Sequence, residues 1–376
     1  MRENFDYRVL TNTMPAHPQY APEFKIRING ENLPSVIRAS VMSVRFDDGS
    51  KEMDRVEIQL ADPGLRLLEH PLLNLNNELT LSIGYAGFTL QEVFVGEITG
   101  RQASFSGGAT TMTVEASDIS HRLMPGQRER SFGPLPDPAI ILFIAVENGM
   151  IPGVDLGPGA LLSALAILLG KPRFQDNQSD YEFLKKIAAE SGVQFSLEKR
   201  VLFFKAFPEF APSMTLTLGR NLMDFSPRIS IVGQIEGVSV KIWLRELKLS
   251  FVVTVAWDFN AERFAISVVP GIAEGTGPSK PKFKFLDQPI KDPTDVAKVL
   301  RKAFSELKNK LNSRLTGSGS AVGDPDIRAG MVLQLEGLGS EFSGNYRVDS
   351  TSHTIDSSGY KTSFNLKREV IPEVFT

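Results

Sequence analysis

The sequence contains no cysteine. That absence removes disulfides, iron–sulfur clusters, cysteine zinc sites and thiol nucleophiles, and leaves packing alone to hold the fold. Tryptophan is scarce as well. Its two copies, Trp243 and Trp257, are a poor supply for a carbohydrate-stacking platform, and both sit in strand-like runs that mark them as core candidates. Histidine occurs four times, at His17, His70, His121 and His353. None stands at i, i+3 or i+4 from another, so no metal-ligand spacing arises and no metal or cofactor is expected. Neither charge dominates: 41 Lys and Arg face 44 Asp and Glu, for a net charge of -3. A chain without a basic stripe does not read as a sequence-specific nucleic-acid binder. Long apolar runs are also missing. AIILFIAV (139–146) and ALLSALAILLG (160–170) fall short of the roughly 20 residues that cross a bilayer. The opening MRENFDYRVLTNTMPAHPQ has no apolar stretch of the kind a signal peptide needs. The expectation is cytoplasmic folding and no membrane insertion by this chain.

At 376 residues the chain exceeds the usual size of one core, so two or three domains are expected. Residues 24–123 read as short β-branched and aromatic strands bounded by turn residues: FKIRING, SVIRASVMSVRF, DRVEIQLADP, ELTLSIGYAG, EVFVGEITG and TTMTVEASD. Such spacing predicts a barrel or sandwich. The pattern then changes. Asp137 as N-cap with Pro138 at the first helical position, and Gly149 as the stop, predict a helix over 138–148, and a second helix is predicted over 160–169. Ser179-Asp180-Tyr181-Glu182 has the spacing of a capping box, opening a third helix with Phe183, Leu184, Ile187 and Ala188 on one face. VQFSLEKRVLFFK (193–205) then reads as a hairpin. After 215 strand patterns return, followed by a Gly, Pro and Ser linker (271–280) and a helix over 293–314. A second flexible stretch, LTGSGSAVG, precedes the closing strands. The predicted fold class is mainly β with an α+β insertion. The boundaries are 1–125 for a first tube-like β-barrel, 126–214 for the α+β domain, and 215–376 for a second barrel, with an inserted linker and helix at about 271–322.

An internal repeat is visible in pattern. Leu79 to Asp118 and residues 331–369 each run strand, turn, strand, small-residue turn, strand. Met112, Val114 and Ala116 correspond to Thr362, Phe364 and Leu366. Two similar barrels per chain would let a homotrimer present six barrels in a ring. The last hairpin, SGNYRVDSTSHTIDSSGYKTSFNLKRE (343–369), alternates and is polar. It is expected to leave a sheet that neighbouring subunits finish.

Candidates for chemistry are few. His353 lies in that hairpin as a candidate base or ligand, against the plainer reading of a polar strand position. EGTGPSKPK (274–282) lacks the P-loop spacing and reads as a linker. The pairs Glu341 with Asp349 and Asp54 with Glu57 are carboxylates at arbitrary spacing, expected to be solvated. Phe183 and Ile187 read as core in preference to a docking face. Arg301, Lys302, Lys308, Lys310 and Arg314, diluted by Asp295 and Glu306, read as the solvated face of the long helix. No catalytic residue is expected, and the interface residues are not legible.

DRVEIQLADPG, LTLSIGYAG with VFVGEITG, PDPAIILFIAVENGM, QDNQSDYEFLKKIAAESGVQFSLE, and GDPDIRAGMVLQLEG with GNYRVDSTSHTIDSSGYKTSFNLKRE span about 50 to 370 in order. Together they resemble the central hub family of contractile-tail baseplates: phage late-control D proteins, myophage hubs and the hub portion of the valine-glycine-repeat spike proteins of type VI secretion. The resemblance implies two tube-like barrels around an α+β region, trimerisation, and a role as adaptor between a hexameric tail tube and a trimeric spike. With nothing after Thr376, the spike and any wall hydrolase are expected from other chains, alongside other baseplate proteins. A hub-associated cell-wall hydrolase and a monomeric carbohydrate-binding β protein are the alternatives.

Overall fold

A computed structural model describes residues 21–49, 53–106, 109–133, 135–155, 173–191, 194–205, 212–230, 237–244, 249–258, 263–270, 283–290, 307–308 and 310–369. The first strands are β1 (Pro22–Ile28), β2 (Glu31–Asn32), β3 (Val41–Gly49), β4 (Arg55–Ala61), β5 (Glu78–Tyr85), β6 (Gln91–Ser106) and β7 (Ala109–Asp118). Alternation decides which face is buried. In β4, Val56, Ile58 and Leu60 point inward while Arg55 and Glu57 are exposed, and β7 does the same with Met112, Val114 and Ala116. Each such fully buried Val, Ile, Leu or Met side chain is worth about 1.5–3 kcal/mol. SVIRA (35–39), expected as strand, is instead helix α1 (Ser35–Ala39). It follows Pro34 and buries only Ile37. The single inward residue suits one helical turn packed on the sheet, where a strand would have to alternate.

The middle of the chain holds β8 (Arg128–Ser131), α2 (Asp137–Glu147), β9 (Ile151–Asp155), β10 (Phe174–Gln178), α3 (Asp180–Ser191), β11 (Gln194–Glu198) and β12 (Val201–Lys205). α2 ends in a Schellman turn: the Gly149 N–H donates to Val146 and the Met150 N–H to Ala145, with Gly149 at φ +73°. Asp137, expected to cap this helix, instead holds Arg173 through both carboxylate oxygens at 2.8 and 2.9 Å. The N-cap is Pro136. The capping box of α3 is formed on both sides, Ser179 N–H to Glu182 at 3.0 Å and Glu182 N–H to Ser179 Oγ at 3.2 Å. Phe183, Leu184, Ile187 and Ala188 enter a core shared with α2 and β12. The predicted helix 160–169 lies outside the described residues.

The remaining strands are β13 (Met214–Thr217), β14 (Leu222–Ile229), β15 (Gly237–Leu244), β16 (Leu249–Asp258), β17 (Arg263–Pro270), β18 (Phe283–Ile290), β19 (Leu315–Val322), β20 (Val332–Glu336), β21 (Gly344–Asp356) and β22 (Gly359–Arg368). Strands β17-β16-β15-β18 form a sheet of their own, with β18 parallel to β15. The expectation of a linker and helix over about 271–322 is therefore corrected. The linker at 271–280, including EGTGPSKPK, is outside the described residues, yet β18 and β19 are strands. LTGSGSAVG was expected to be flexible because it is rich in Gly and Ser, but those residues are small for packing. A Cβ on Gly317 would come within 2.5 Å of the Phe225 ring, and one on Gly319 within 2.5 Å of the Asp224 carbonyl. Of the helix over 293–314, residues 307–308 and 310–312 are helical and the earlier part is undescribed. Trp257, expected in the core, is half-buried in β16; the side chain of Trp243 is outside the description.

Thirteen strands join into one sheet in the order β14-β19-β22-β21-β3-β4-β7-β6-β5-β1-β2, with β20 and β13 branching from β21. Two copies of one strand path lie inside it. The first module runs β3-β4-β7-β6-β5-β1 and the second β14-β19-β22-β21-β20-β13. The irregularities repeat too. The β6·β7 register shifts between Ile98 and Gly100, and β21·β22 between Val348 and Ser350. Likewise β3·β4 shifts between Val41 and Ser43, and β14·β19 between Leu222 and Asp224. A bulge inserts one residue at a defined place and bends the strand there. Two coincident bulges mark a duplicated module more specifically than turn chemistry does. One difference stands out: β1 pairs β5 antiparallel, whereas β13 pairs β20 in parallel.

Candidate functional site: a seam and two open edges

The terminal hairpin is not left for another subunit, contrary to expectation. Ser350 to Ile355 of β21 pair antiparallel with Gly49 to Val44 of β3, and β22 is covered by β19. The chain finishes this sheet itself. Polar alternation hid the fact, because the side chains facing away from the core line a groove. Arg45 bridges the joint by donating to Ser352 Oγ at 3.1 Å. The groove encloses about 860 Å³ and runs across the junction, bordered by Asp47, Ser350, Lys361, Asn365 and, from α3, Lys185.

Beneath the groove the seam is a buried polar knot. Arg328, from the loop between β19 and β20, donates to Asp48 Oδ2 at 2.6 Å and to the Val93 carbonyl at 3.2 Å. Its guanidinium stacks 4.9 Å above the Phe46 ring and lies 3.6 Å from Asp54. The Ala329 N–H adds a bond to Asp48 at 2.8 Å. Asp54 is held well above the usual carboxylate range by burial first, then by Asp48 and Asp118, against the pull of Arg328. Burial also raises Asp118, although Ser120 and the Asp54 backbone N–H donate to it. On the other side, Tyr85 donates to the Gly323 carbonyl at 2.8 Å. Gly323 has to be glycine, since a Cβ there would enter the Tyr360 ring. The apolar component matches: Ile355 and Tyr360, from the second module, belong to the core of the first.

His353 sits in this knot at 1% exposure. It stacks on Phe46 at 5.7 Å, with Nδ1 2.9 Å from the Tyr360 hydroxyl and Nε2 3.0 Å from the Ile327 carbonyl. A carbonyl only accepts, so Nε2 carries the hydrogen, and in the neutral ring Nδ1 accepts from the Tyr360 hydroxyl. Burial, then Arg328, pulls it down to about 4. It is a structural histidine. The others divide similarly: His70 caps a short turn by accepting from the Leu72 N–H at 3.3 Å, His121 lies 3.2 Å from Glu97, and His17 is outside the described residues.

The carboxylate pairs are not brought into a common site. Asp54 is buried in the knot whereas Glu57 is exposed on β4; Asp349 is held by Lys367 at 2.7 Å, and Glu341 lies on an exposed turn, α4 (Gly339–Phe342). Lys308 corrects the expectation of a solvated helix face. It is buried against Glu369 at 2.5 Å, and Glu369 also receives Arg347 at 2.8 Å and Asn312 at 3.0 Å. Lys310 and Arg314 are exposed, while Arg301, Lys302, Asp295 and Glu306 lie outside the described residues. Among the described residues, no group of three or more His, Asp or Glu is arranged to hold a metal ion. Nor is any helix among them long and apolar enough to cross a membrane. Sequence reasoning missed Arg328 and Asp48 altogether. Nothing local distinguishes them, because their meaning comes from a partner 280 residues away.

Among the strand edges left open in the described residues, two lie at related places in the two modules. β6 pairs β5 only from Gln91 to Glu97, and from Gly100 to Phe105 its strand partner among the described residues is β7. β14 pairs only β19. Large apolar side chains stand at both edges: Phe105 is 65% exposed, Met223 57% and Ile229 42%.

With this geometry in view, the fold can be placed. It is that of phage tail proteins. The 43 kDa tail protein of prophage MuSo2 from Shewanella oneidensis superposes with a TM-score of 0.65 at 11% identity, covering 93% of this chain and 98% of that one. A tail protein from Neisseria meningitidis MC58 gives 0.64 at 12%, covering 93% and 97%. The Escherichia coli c3393 protein, described as a component of the type VI secretion system with structural similarity to T4 bacteriophage tail proteins, gives 0.57 at 14%, covering 93% and 77%. In sequence, the family model described as the Alg8 N-terminal domain matches residues 19–357, and the chain belongs to that family. No curated protein matches the sequence.

Proposed function

We propose that the chain is the structural baseplate hub of a contractile injection apparatus: a homotrimeric adaptor that joins a hexameric inner tube to a trimeric spike. The observation that carries this reading is the duplicated strand path within one sheet, bulges included. Three chains carrying two like modules each present six, so a three-fold object can match a six-fold one. Each module would be a tube-like barrel, with residues 126–214 as the intervening domain. The fold shared with tail proteins supports the same reading. Its partners are the tail tube protein, a separate spike and other baseplate proteins. The chain would be cytoplasmic during assembly and then part of the particle, whether phage tail, tailocin, extracellular injection system or secretion machine. The enzyme alternative gains nothing from the carboxylates Asp48, Asp54 and Asp118, which are consumed inside the seam.

Mass determination of the purified chain, followed by electron microscopy with its candidate tube protein, tests the proposal. A trimer that nucleates tube rings is expected. A strict monomer with affinity for neither tube nor spike would overturn it, as would wall-hydrolysing activity on zymograms that a single carboxylate substitution abolishes.

A further inference from the structure

The seam inside the chain supplies a template for contacts between chains. Register fixes which residues correspond in the two modules. Val114 of β7 sits opposite Ile58 of β4 and Arg101 of β6, and Ile58 sits opposite Val44 of β3. Phe364 of β22 sits opposite Gly319 of β19 and Thr351 of β21, and Gly319 sits opposite Phe225 of β14. Thus Arg101 corresponds to Thr351, and Phe225 to Val44. The shared bulges at Ile98/Gly100 and Val348/Ser350 give the same alignment.

In the second module, the part of β21 beyond its bulge is the part that pairs with β3. In the first module, the part of β6 beyond its bulge has no strand on its outer edge among the described residues. The counterpart of β3 is β14, which from Phe225 to Ile229 also has no strand on its outer edge among the described residues. Resting on the trimeric-hub reading, we infer that Arg101 to Phe105 of one copy pair antiparallel with Ile229 to Phe225 of a second copy, repeating the β3·β21 seam between chains. The ring then alternates a joint within a chain and a joint between chains of the same kind.

Side-chain chemistry supports the match. Within the chain the terminal pair of the seam is Ile355 with Val44, both buried, and Ile355 completes the core of the module it joins. Between chains the corresponding pair is Phe105 with Phe225. Phe105 is exposed on an otherwise polar strand end, and Phe225 borders the second module's core beside Tyr346 at 5.4 Å. An aromatic pair there does what the aliphatic pair does in the seam. Pro227 corresponds to Phe46. Proline belongs on edge strands, and it leaves this joint one backbone donor short of its counterpart. Single-edge pairing with arbitrary strands is blunted by the same residue.

The absence of cysteine makes the test direct. Directly opposed residues of antiparallel strands lie within disulfide reach. The double variant Ser104→Cys with Ser226→Cys, both exposed positions, should oxidise to a covalent trimer that reduction dissolves. Gln102→Cys with Ser226→Cys, out of register, should not. Arg45→Cys with Thr354→Cys should close within one chain and leave the mass unchanged. Phe105→Asp should raise the dissociation concentration of the trimer about 100-fold or more, with the melting of the isolated chain unaltered because Phe105 is exposed within it. A trimer by mass that forms no Ser104–Ser226 link, or that links equally out of register, overturns this joint and leaves the hub reading intact. A monomer under all conditions overturns both.

Discussion

Lowering the pH should weaken the seam through one imidazole. His353 is neutral, stacked on Phe46 and close to Arg328, with Asp48 and Asp47 the nearest acids acting on it and Tyr360, Thr351 and Thr362 bonded to its nitrogens. Its folded value of about 4 lies below the unfolded 6.5. A depressed value means the folded state refuses the proton that the unfolded chain accepts, so the stability contribution is full above 6.5 and is lost as pH falls towards 4. Converting that difference at 1.36 kcal/mol per unit gives about 2.5 kcal/mol lost between pH 7.5 and 4.5. Asp54 and Asp118 act with the opposite sign, since their raised values favour the folded state in acid. A comparison with His353→Gln cancels them. Denaturant unfolding of both proteins at pH 7.5, 5.5 and 4.5 should show the wild type losing about 2.5 kcal/mol relative to the variant. Parallel profiles for the two would refute the reasoning, because they would mean that the seam does not hold this ring uncharged.

Three further outcomes are expected. Replacing Arg328 by Met strands Asp48 and Asp54 without their cation and should cost about 3–5 kcal/mol at neutral pH by denaturant unfolding; Arg328→Lys should recover only part of this, since one ammonium cannot reach Asp48, Asp54 and the Val93 carbonyl together. Gly319→Ala distinguishes a packed strand from a flexible linker by sign alone. In a linker it would stabilise by about 0.4–1 kcal/mol, whereas against Phe225 and the Asp224 carbonyl it should destabilise by about 1–3 kcal/mol in thermal melts. Ser179→Ala removes one half of the α3 capping box and should cost about 1 kcal/mol.

Much of this architecture was legible in the sequence, and the failures have common causes. The repeat could be read because bulged, alternating strands impose a fixed period: pairing Met112, Val114 and Ala116 with Thr362, Phe364 and Leu366 agrees with the observed register. Ser179 and Glu182 could be read because capping is local. Gly317 and Gly319 were misread because composition alone does not separate glycine kept for freedom from glycine kept for space. SVIRA was misread because its β-branched residues resemble a strand until Pro34 and the lone inward Ile37 are considered. The seam was illegible for a different reason. Its hydroxyl-rich strands look unburied along the sequence, and only the pairing of β3 with β21, 307 residues apart at Arg45 and Ser352, shows that both edges are taken.

That separation also sets an order of events during synthesis. Ile355 and Tyr360 complete a core whose other members lie between Ile26 and Ala116, so a nascent chain on the ribosome carries an unfinished first module until residues past Tyr360 have emerged. Chains released early would expose β3 and the hollow beside Phe46, surfaces that quality-control machinery recognises. Only copies synthesised past Tyr360 would then present two finished modules.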